Sequence, residues 1–385
     1  MSDTNKNARV NVVDCLRGFA VCGIILIHFL EHMNFYSFPK LNALDSAIWD
    51  TVFFLGASKM YAIFALLFGF SCFVQHDNQA RKGNDFRGRF AWRMVLLFLW
   101  GLLDLVFYNG DILCTYAVMG LLLIPVVKAS DRVVAILAVL FLLQPVELAY
   151  MVMGAFNPEV MPMNLGTGKL WGYLFGPCAQ GSFLDVAGVN LHYGLQVNFG
   201  WAIENGRLTQ TYALFLVGLL LGRKRLFVNE GNNLETWKKM FVGSVIAFVV
   251  FQPLVMYVPG MIANRTVRFS ADIQLKAWRN FAMMAFYVAG IVLLYYRTSA
   301  QKQLTHLSHI GKMSLSCYLL QSLVGGMLFY NWGFGMYRWS RHTYSLLLAI
   351  AFLFVLYLFC KWWTSGHRRG PLEEVWSRLT FLGSK

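Results

Sequence analysis

Apolar runs of about twenty residues recur along the whole chain, and they constrain its fold more than any other feature. Ten can be marked, at about 12–30, 50–75, 90–108, 112–128, 133–154, 208–222, 240–258, 278–296, 311–330 and 344–363. A helix rises about 1.5 Å per residue, so about twenty apolar residues match the roughly 30 Å hydrocarbon core of a bilayer. There every backbone N–H and C=O must be paired within its own segment, which favours helices. Charged residues make up only 14% of the chain and hydrophobic ones 57%, against about a quarter and a half in soluble domains. The expected fold is all-α: a polytopic transmembrane bundle of about ten helices, a single domain over 1–385, with the lipid bilayer as its first partner.

The net charge of +14 has a topological explanation, so no nucleic-acid partner is expected. With the N-terminus placed inside, the inner segments carry 22 of the 33 Lys and Arg residues and the outer loops 9. Basic residues concentrate on the cytoplasmic side, so both termini are expected there. No small-residue cleavage site follows the first run, which reads as a retained helix. Residues 155–207 then form a long extracytoplasmic loop with room for short re-entrant or interfacial helices, and about 364–385 a short cytoplasmic tail. The outer stretch 264–279 carries Arg265, Arg268, Lys276 and Arg279, as an interfacial segment or as a patch for an anionic substrate. Six of the seven cysteines lie in apolar stretches and Cys178 in the long loop, so neither a disulfide framework nor a metal site is expected. Gly218-x-x-x-Gly222 is a small-residue pattern that lets helices approach closely, and the arrangement leaves room for a homodimer.

The first run, VDCLRGFAVCGIILIHFL (13–30), carries Asp14, Arg17 and His28, although intramembrane charges cost about 2.5–3.5 kcal/mol each on insertion scales. At 100° per residue, Asp14 and Arg17 share a face, and His28, eleven residues on, returns to it about 16 Å further along the axis. Of the eight histidines only His28 lies within one of the ten runs. The stripe is either structural, an ion pair plus a histidine bonded to nearby backbone, or functional. In the functional reading Arg17 near the cytoplasmic face holds a phosphate-bearing donor. The imidazole deeper in the bilayer then acts as general base on an acceptor hydroxyl or amine. Arg87, Arg89 and Arg93 form a basic entry beside it.

Other candidates follow from position. Lys59 is the one charge deep in the second run, where a carboxylate partner is the structural expectation; Asp104 and Glu147 lie in the third and fifth. Asp111 opens a short outer turn, where it either meets His28 or caps the next helix. Tyr116, Tyr318 and Gln321 either line a polar cavity or hydrogen-bond between helices.

The pattern Asp14-x-x-Arg17-Gly18-x-Ala20 resembles the opening of the YeiB-like family of bacterial inner-membrane proteins. So do KMYAIFALLFGFSCF (59–73), LLFLWGLLDLVFYNGDILCTYAVMGLLLIP (96–125), IGKMSLSCYLLQSLVGGMLFY (310–330) and RRGPLEEVWSRLTF (368–381). The GDIL–YA–G block and the GPLE–W tail are the most specific of these. The family looks like a distant relative of the transmembrane acyltransferases: the surface sugar O-acyltransferases and the heparan glucosamine acetyltransferase. The surface O-acyltransferases carry an Arg-Gly in the first helix with a catalytic-type His eleven residues after the Arg, a spacing that Arg17 and His28 reproduce. YeiB-like proteins commonly have Asn at the His28 position and often His at Asp104. The resemblance implies acyl-CoA as cytoplasmic donor substrate and an envelope acceptor outside, with His28 catalytic and Arg17, Asp14 and Arg93 at the donor; Lys59, Asp104, Asp111, Tyr116, Tyr318 and Gln321 are the acceptor or cavity-lining candidates from position, and the departure at Asp104 weakens any family role carried over to it. A small-solute transporter or channel using the Asp14/Arg17/His28 stripe as a relay is the alternative, and a non-catalytic scaffold a third.

Overall fold

The computed structural model describes residues 10–31 and 41–382, so the two termini, whose side of the membrane is at issue, lie outside it. Within these residues the regular elements are all helical. In chain order they begin with α1 (Asn11–Leu30), α2 (Ala43–Gly56), α3 (Met60–Ala80), α4 (Arg87–Leu105), α5 (Leu113–Leu121) and α6 (Asp131–Leu142). Then come α7 (Pro145–Phe156), α8 (Thr167–Gln180), α9 (Phe183–Glu204), α10 (Arg207–Arg223) and α11 (Asn233–Met261). The chain continues through α12 (Arg265–Arg297), α13 (Gln301–Lys312), α14 (Ser314–Phe329), α15 (His342–Gly366) and α16 (Pro371–Thr380).

Each of the ten apolar runs contains helix, although 122–128 of the fourth is turn, and they do not make ten uniform spans. By length and composition five helical stretches suffice to cross a membrane: α1, α2 with α3, α11, α12 and α15. The bent pair α6–α7 brings the number to six. The other four runs fall short for identifiable reasons. Helix α4 carries Arg87, Arg89, Arg93 and Asp104, α5 has 9 residues, α10 has 17 and α14 has 16. The stretch 155–207, where room for short helices was expected, holds α8 and the 22-residue α9. Helix α9 starts on a reciprocal cap between Ser182 and Asp185, the arrangement that satisfies two orphan backbone donors. Cys178 sits in α8, fully buried rather than in a polar loop.

Burial separates an inner helix from outer ones. Two-thirds of the apolar window of α1 is buried, against 6% for α11 and 22% for α15. Helix α1 can be central because glycine lets its neighbours touch it backbone to backbone. A methyl added at Gly18 would overlap the Leu307 carbonyl of α13, and one at Gly311 would overlap the Asp14 carbonyl of α1. Gly69 of α3 and Gly218 of α10 form a second such pair, against Phe215 and Leu66. Overpacking a core costs about 1–3 kcal/mol when side chains can yield, and more when backbone cannot. Gly311→Val is therefore expected to destabilise the protein by on the order of 3 kcal/mol. A thermal scan in detergent checks this, and an unchanged midpoint would show that α1 and α13 part easily.

Two breaks give the bundle its polar interior. Gln144 adopts a left-handed backbone with φ 55° before Pro145, and α6 and α7 meet at 46°. Carbonyls left over at the end of α6 are taken up by α12: Trp278 Nε1 donates to Leu142 O and Gln274 Nε2 to Leu143 O, both at 2.7 Å. The second break, at Ser58 with φ 69°, separates α2 from α3 and leaves Lys59 at the N-cap of α3.

Candidate functional site

A cavity of about 700 Å³ opens among α1, α3, α4, α5, α14 and α16. Seven of its lining residues are Arg or Lys, Arg17 and Arg93 among them, against a single carboxylate, Glu373. Arg17 is held from two sides: Nη1 donates to Asp14 Oδ1 at 2.9 Å and Nη2 to Ser71 Oγ at 2.6 Å. A guanidinium has five N–H donors in a rigid fork, and these two bonds fix its orientation at the cavity wall. Arg93 lies over the Trp376 ring at 3.6 Å and donates to Thr380 Oγ1 at 3.2 Å. Arg87 belongs to the surface instead, donating to Asp85, whose carboxyl is held well below the ordinary range by Arg87 and Lys128. Arg89 sits over the Phe381 ring at 5.1 Å.

Helix α16 is a wall of this cavity rather than a loose tail. The Glu373 carboxylate accepts from Leu315 N at 2.7 Å, Ser316 N at 3.1 Å and Ser316 Oγ at 2.6 Å. It thereby satisfies the orphan donors at the start of α14, where negative charge is favoured. Burial raises the Glu373 carboxyl above its ordinary value, with the bonds from Ser316 and Leu315 acting against the rise. Trp92 Nε1 adds a bond to Leu379 O at 3.0 Å.

At its other end the cavity narrows between apolar side chains to Tyr116 and Tyr318. The Tyr318 ring lies edge-on to His28, 6.2 Å between centroids, and the Tyr108 ring lies 5.0 Å from His28 on α1. His28 does not itself line the cavity. Its Nδ1 is 2.9 Å from Gln321 Nε2 of α14. The carboxamide can present either end to that nitrogen. With NH2 donating, the neutral ring keeps its proton on Nε2. With the carbonyl oxygen accepting from Nδ1–H, Nε2 becomes the basic nitrogen.

The remaining candidates divide. Asp111 caps α5, accepting from Leu113 N and Cys114 N at 2.9 Å each. Asp104, fully buried, faces Asp111 and Ser322. Tyr116 donates to Tyr61 O at 2.7 Å, and Tyr318 accepts from Ile112 N at 3.3 Å. Glu147 is buried beside Ser270. Lys59 has no carboxylate partner among the described residues, contrary to the structural expectation; the charges that act on it are Arg207 and Arg279. The structure thus gathers Asp14, Arg17 and Arg93 at one end and His28, Gln321 and Tyr318 at the other. Lys59 stands apart. Ser71, Tyr108, Glu373 and Trp376 are participants that the sequence did not single out, although the last two lie in the GPLE–W tail. No group of three or more His, Cys, Asp or Glu among the described residues is arranged to hold a metal ion.

Comparison with known proteins adds two family matches and three whole-length relatives. Residues 9–169 match the family described as heparan-alpha-glucosaminide N-acetyltransferase, catalytic, and residues 221–383 match a family described as protein of unknown function, DUF418. Uncharacterized protein YxaH of Bacillus subtilis (strain 168) is 27% identical, over 99% of this chain and 96% of its own. An uncharacterized 39.9 kDa protein in the amylase 3' region of Bacillus acidopullulyticus is 25% identical, over 97% and 94%. Uncharacterized protein YeiB of Escherichia coli (strain K12) is 24% identical, over 96% of this chain and 95% of its own. Along nearly its whole length the chain is similar to YeiB and its relatives. No solved structure matches it.

The two family matches meet at the cavity. The acetyltransferase-like part supplies Arg17, Arg93 and Tyr116 to its lining and the DUF418 part Tyr318 and Glu373, while beside it His28 of the first part contacts Gln321 of the second. The chain is multi-pass and similar to proteins related to the acyltransferase superfamily.

Proposed function

We propose that the protein transfers an acyl group from cytoplasmic acyl-CoA to an acceptor at the other face of the bacterial inner membrane. On this reading the ten apolar runs all belong to the membrane domain, and both termini are cytoplasmic. The observation that carries the reading is the lining of one cavity: it holds seven basic side chains and also Tyr318, whose ring borders His28. Basic side chains with fork geometry suit the CoA phosphates. The way from Arg17 to His28, about 16 Å along α1, suits an extended pantetheine arm. At its tip His28 takes the proton of an acceptor hydroxyl as that oxygen attacks the thioester carbonyl. The tetrahedral intermediate collapses, the C–S bond breaks, and the CoA thiolate recovers the proton from the imidazolium, so the products are ester and free thiol. The donor end binds tightly through charge, and the apolar middle keeps water from the thioester.

One experiment tests donor and sidedness together, because CoA does not cross the membrane. In inverted vesicles trypsin is expected to cut at Arg378, which is exposed, and acyl-CoA is expected to slow the cut more than the dephosphorylated donor does. Cleavage in right-side-out vesicles would reverse the proposed orientation. A rate indifferent to acyl-CoA would remove the donor.

A further inference from the structure

We infer that Lys59, Arg207 and Arg279 form a second anion site, which holds a phosphoryl group of the acceptor; calling its occupant the acceptor rests on the acyl-transfer reading above. Lys59 is 1% exposed. No hydrogen bond or ion pair engages its ammonium among the described residues, and the nearest ring, Phe54, has its centroid 5.5 Å away. The charged groups that act on it are the guanidiniums of Arg279 and Arg207. Three buried or half-buried cations thus converge; Asp272 acts on Arg279, but Lys59 has no counter-ion among the described residues, and burying even one unpaired charge is costly. The nearby carboxylates also have other partners: Asp272 binds Lys276 at 2.6 Å, and Glu204 accepts from Leu165 N and from Thr167.

The two arginines are held in place yet keep donors. Arg207 donates to Ser58 Oγ, lies 3.4 Å from Gln210 Oε1 and rests on the rings of Tyr61 and Trp201. Arg279 directs two donors at Asn280 Oδ1, at 3.1 and 3.3 Å. Each guanidinium therefore has N–H groups left over from its five. An ammonium and two planar forks approaching from three elements suit a tetrahedral oxyanion, which offers acceptors in several directions, better than a planar carboxylate. The left-handed backbone at Ser58, φ 69°, is the break that turns Lys59 inward, and such strain in a non-glycine residue needs a compensating use.

The cluster lies at the His28 end of the bundle. Met60 packs on Gly23, and Ile27 packs on Gly56, so Lys59 stands within about a turn of the His28 level. A seam of polar side chains links them: Tyr61 donates to Gln210, Tyr116 donates to Tyr61 O, and Tyr318 beside Tyr116 borders His28. An acceptor anchored by its phosphoryl group on Lys59 thus presents a nearby hydroxyl toward the imidazole, from the side opposite the donor.

The test uses the full-length protein in phosphatidylcholine nanodiscs, with calorimetric titration of glycerol 1-phosphate. Saturable binding is expected, falling at least tenfold in Lys59→Met and in Arg279→Gln, with acyl-CoA binding unchanged in both. Lys59→Met removes an unpaired buried charge and is expected to fold; Arg279→Gln carries the test where it does not. A second arm places phosphatidylglycerol in the nanodisc and reads the melting temperature. A rise that Lys59→Met abolishes assigns the phosphoryl group to a lipid headgroup, and either source supports the site. No response in either arm overturns the proposal. So does binding that neither substitution changes, or glucuronate binding as tightly as the phosphate. If acyl-CoA fails to bind while glycerol 1-phosphate binds, acyl transfer is lost and the anion site stands.

Discussion

His28→Ala is expected to lower acyl transfer by roughly 10²–10⁴-fold, the usual loss for a positioned general base, while acyl-CoA still binds. On the proposed reading donor affinity resides in the basic end of the cavity, and His28 does not line that cavity, so binding and chemistry should separate. The fold survives, because one imidazole contributes little to a bundle keyed by glycines. His28→Asn is the sharper variant. Asparagine keeps a hydrogen bond to Gln321 but has no basic nitrogen, so it should be as inactive as alanine. Near-normal transfer by His28→Asn, measured with labelled acyl-CoA, would replace proton abstraction by a hydrogen-bonding role. Normal behaviour of both variants would favour the transport alternative. Gln321→Glu is informative in the other direction: a carboxylate can only accept from Nδ1–H, and it fixes the basic nitrogen on Nε2.

Arg17→Ala is expected to weaken acyl-CoA binding by about 10–100-fold, the equivalent of one or two hydrogen bonds to a charged group. The same change removes the guanidinium that faces Asp14, which is 1% exposed, and stripping a buried carboxylate of its cation destabilises a protein by about 3–5 kcal/mol. Loss of affinity must therefore be separated from loss of fold. The double variant Asp14→Asn with Arg17→Ala does this, since it removes the buried charge along with its partner. Recovered melting temperature with donor binding still weak would place Arg17 at the donor. Recovery of both, by calorimetry, would make the pair structural.

Much of the architecture was legible because lipid leaves few choices. Each apolar run contains helix, though only five or six stretches are long and apolar enough to span a membrane, and Asp14 and Arg17 are in contact, as their helical spacing dictates. Contacts between distant segments were not legible. Gln321 reaches His28 across 293 positions, and nothing local to either announces it. Glu373 reads as one acid in a short amphipathic tail until it docks on the start of α14. Lys59 invited a carboxylate partner by the ordinary logic of buried charge, and the chain supplies two more cations instead. The sequence left room for short helices in 155–207 but did not mark α8 and α9, because glycine and aromatic residues dominate there. Helix α9 starts on a side-chain cap, α8 does not, and neither is favoured by propensity alone.

The glycine contacts Gly18–Gly311 and Gly69–Gly218 act as notches. Each admits a facing backbone at one register, because a shift along the helix puts a side chain where only hydrogen fits. Helices α1 with α13 and α3 with α10 are therefore keyed against sliding. A carrier that exposes its site alternately to each face must let bundles rock or shear past one another. This core resists that motion, and it resists it at Arg17, adjacent to the first notch. On the proposed acyl-transfer reading the mobile part is then the substrate: a flexible thioester arm would traverse a fixed frame, and the membrane barrier would be bridged by the reach of a ligand while the protein stays still.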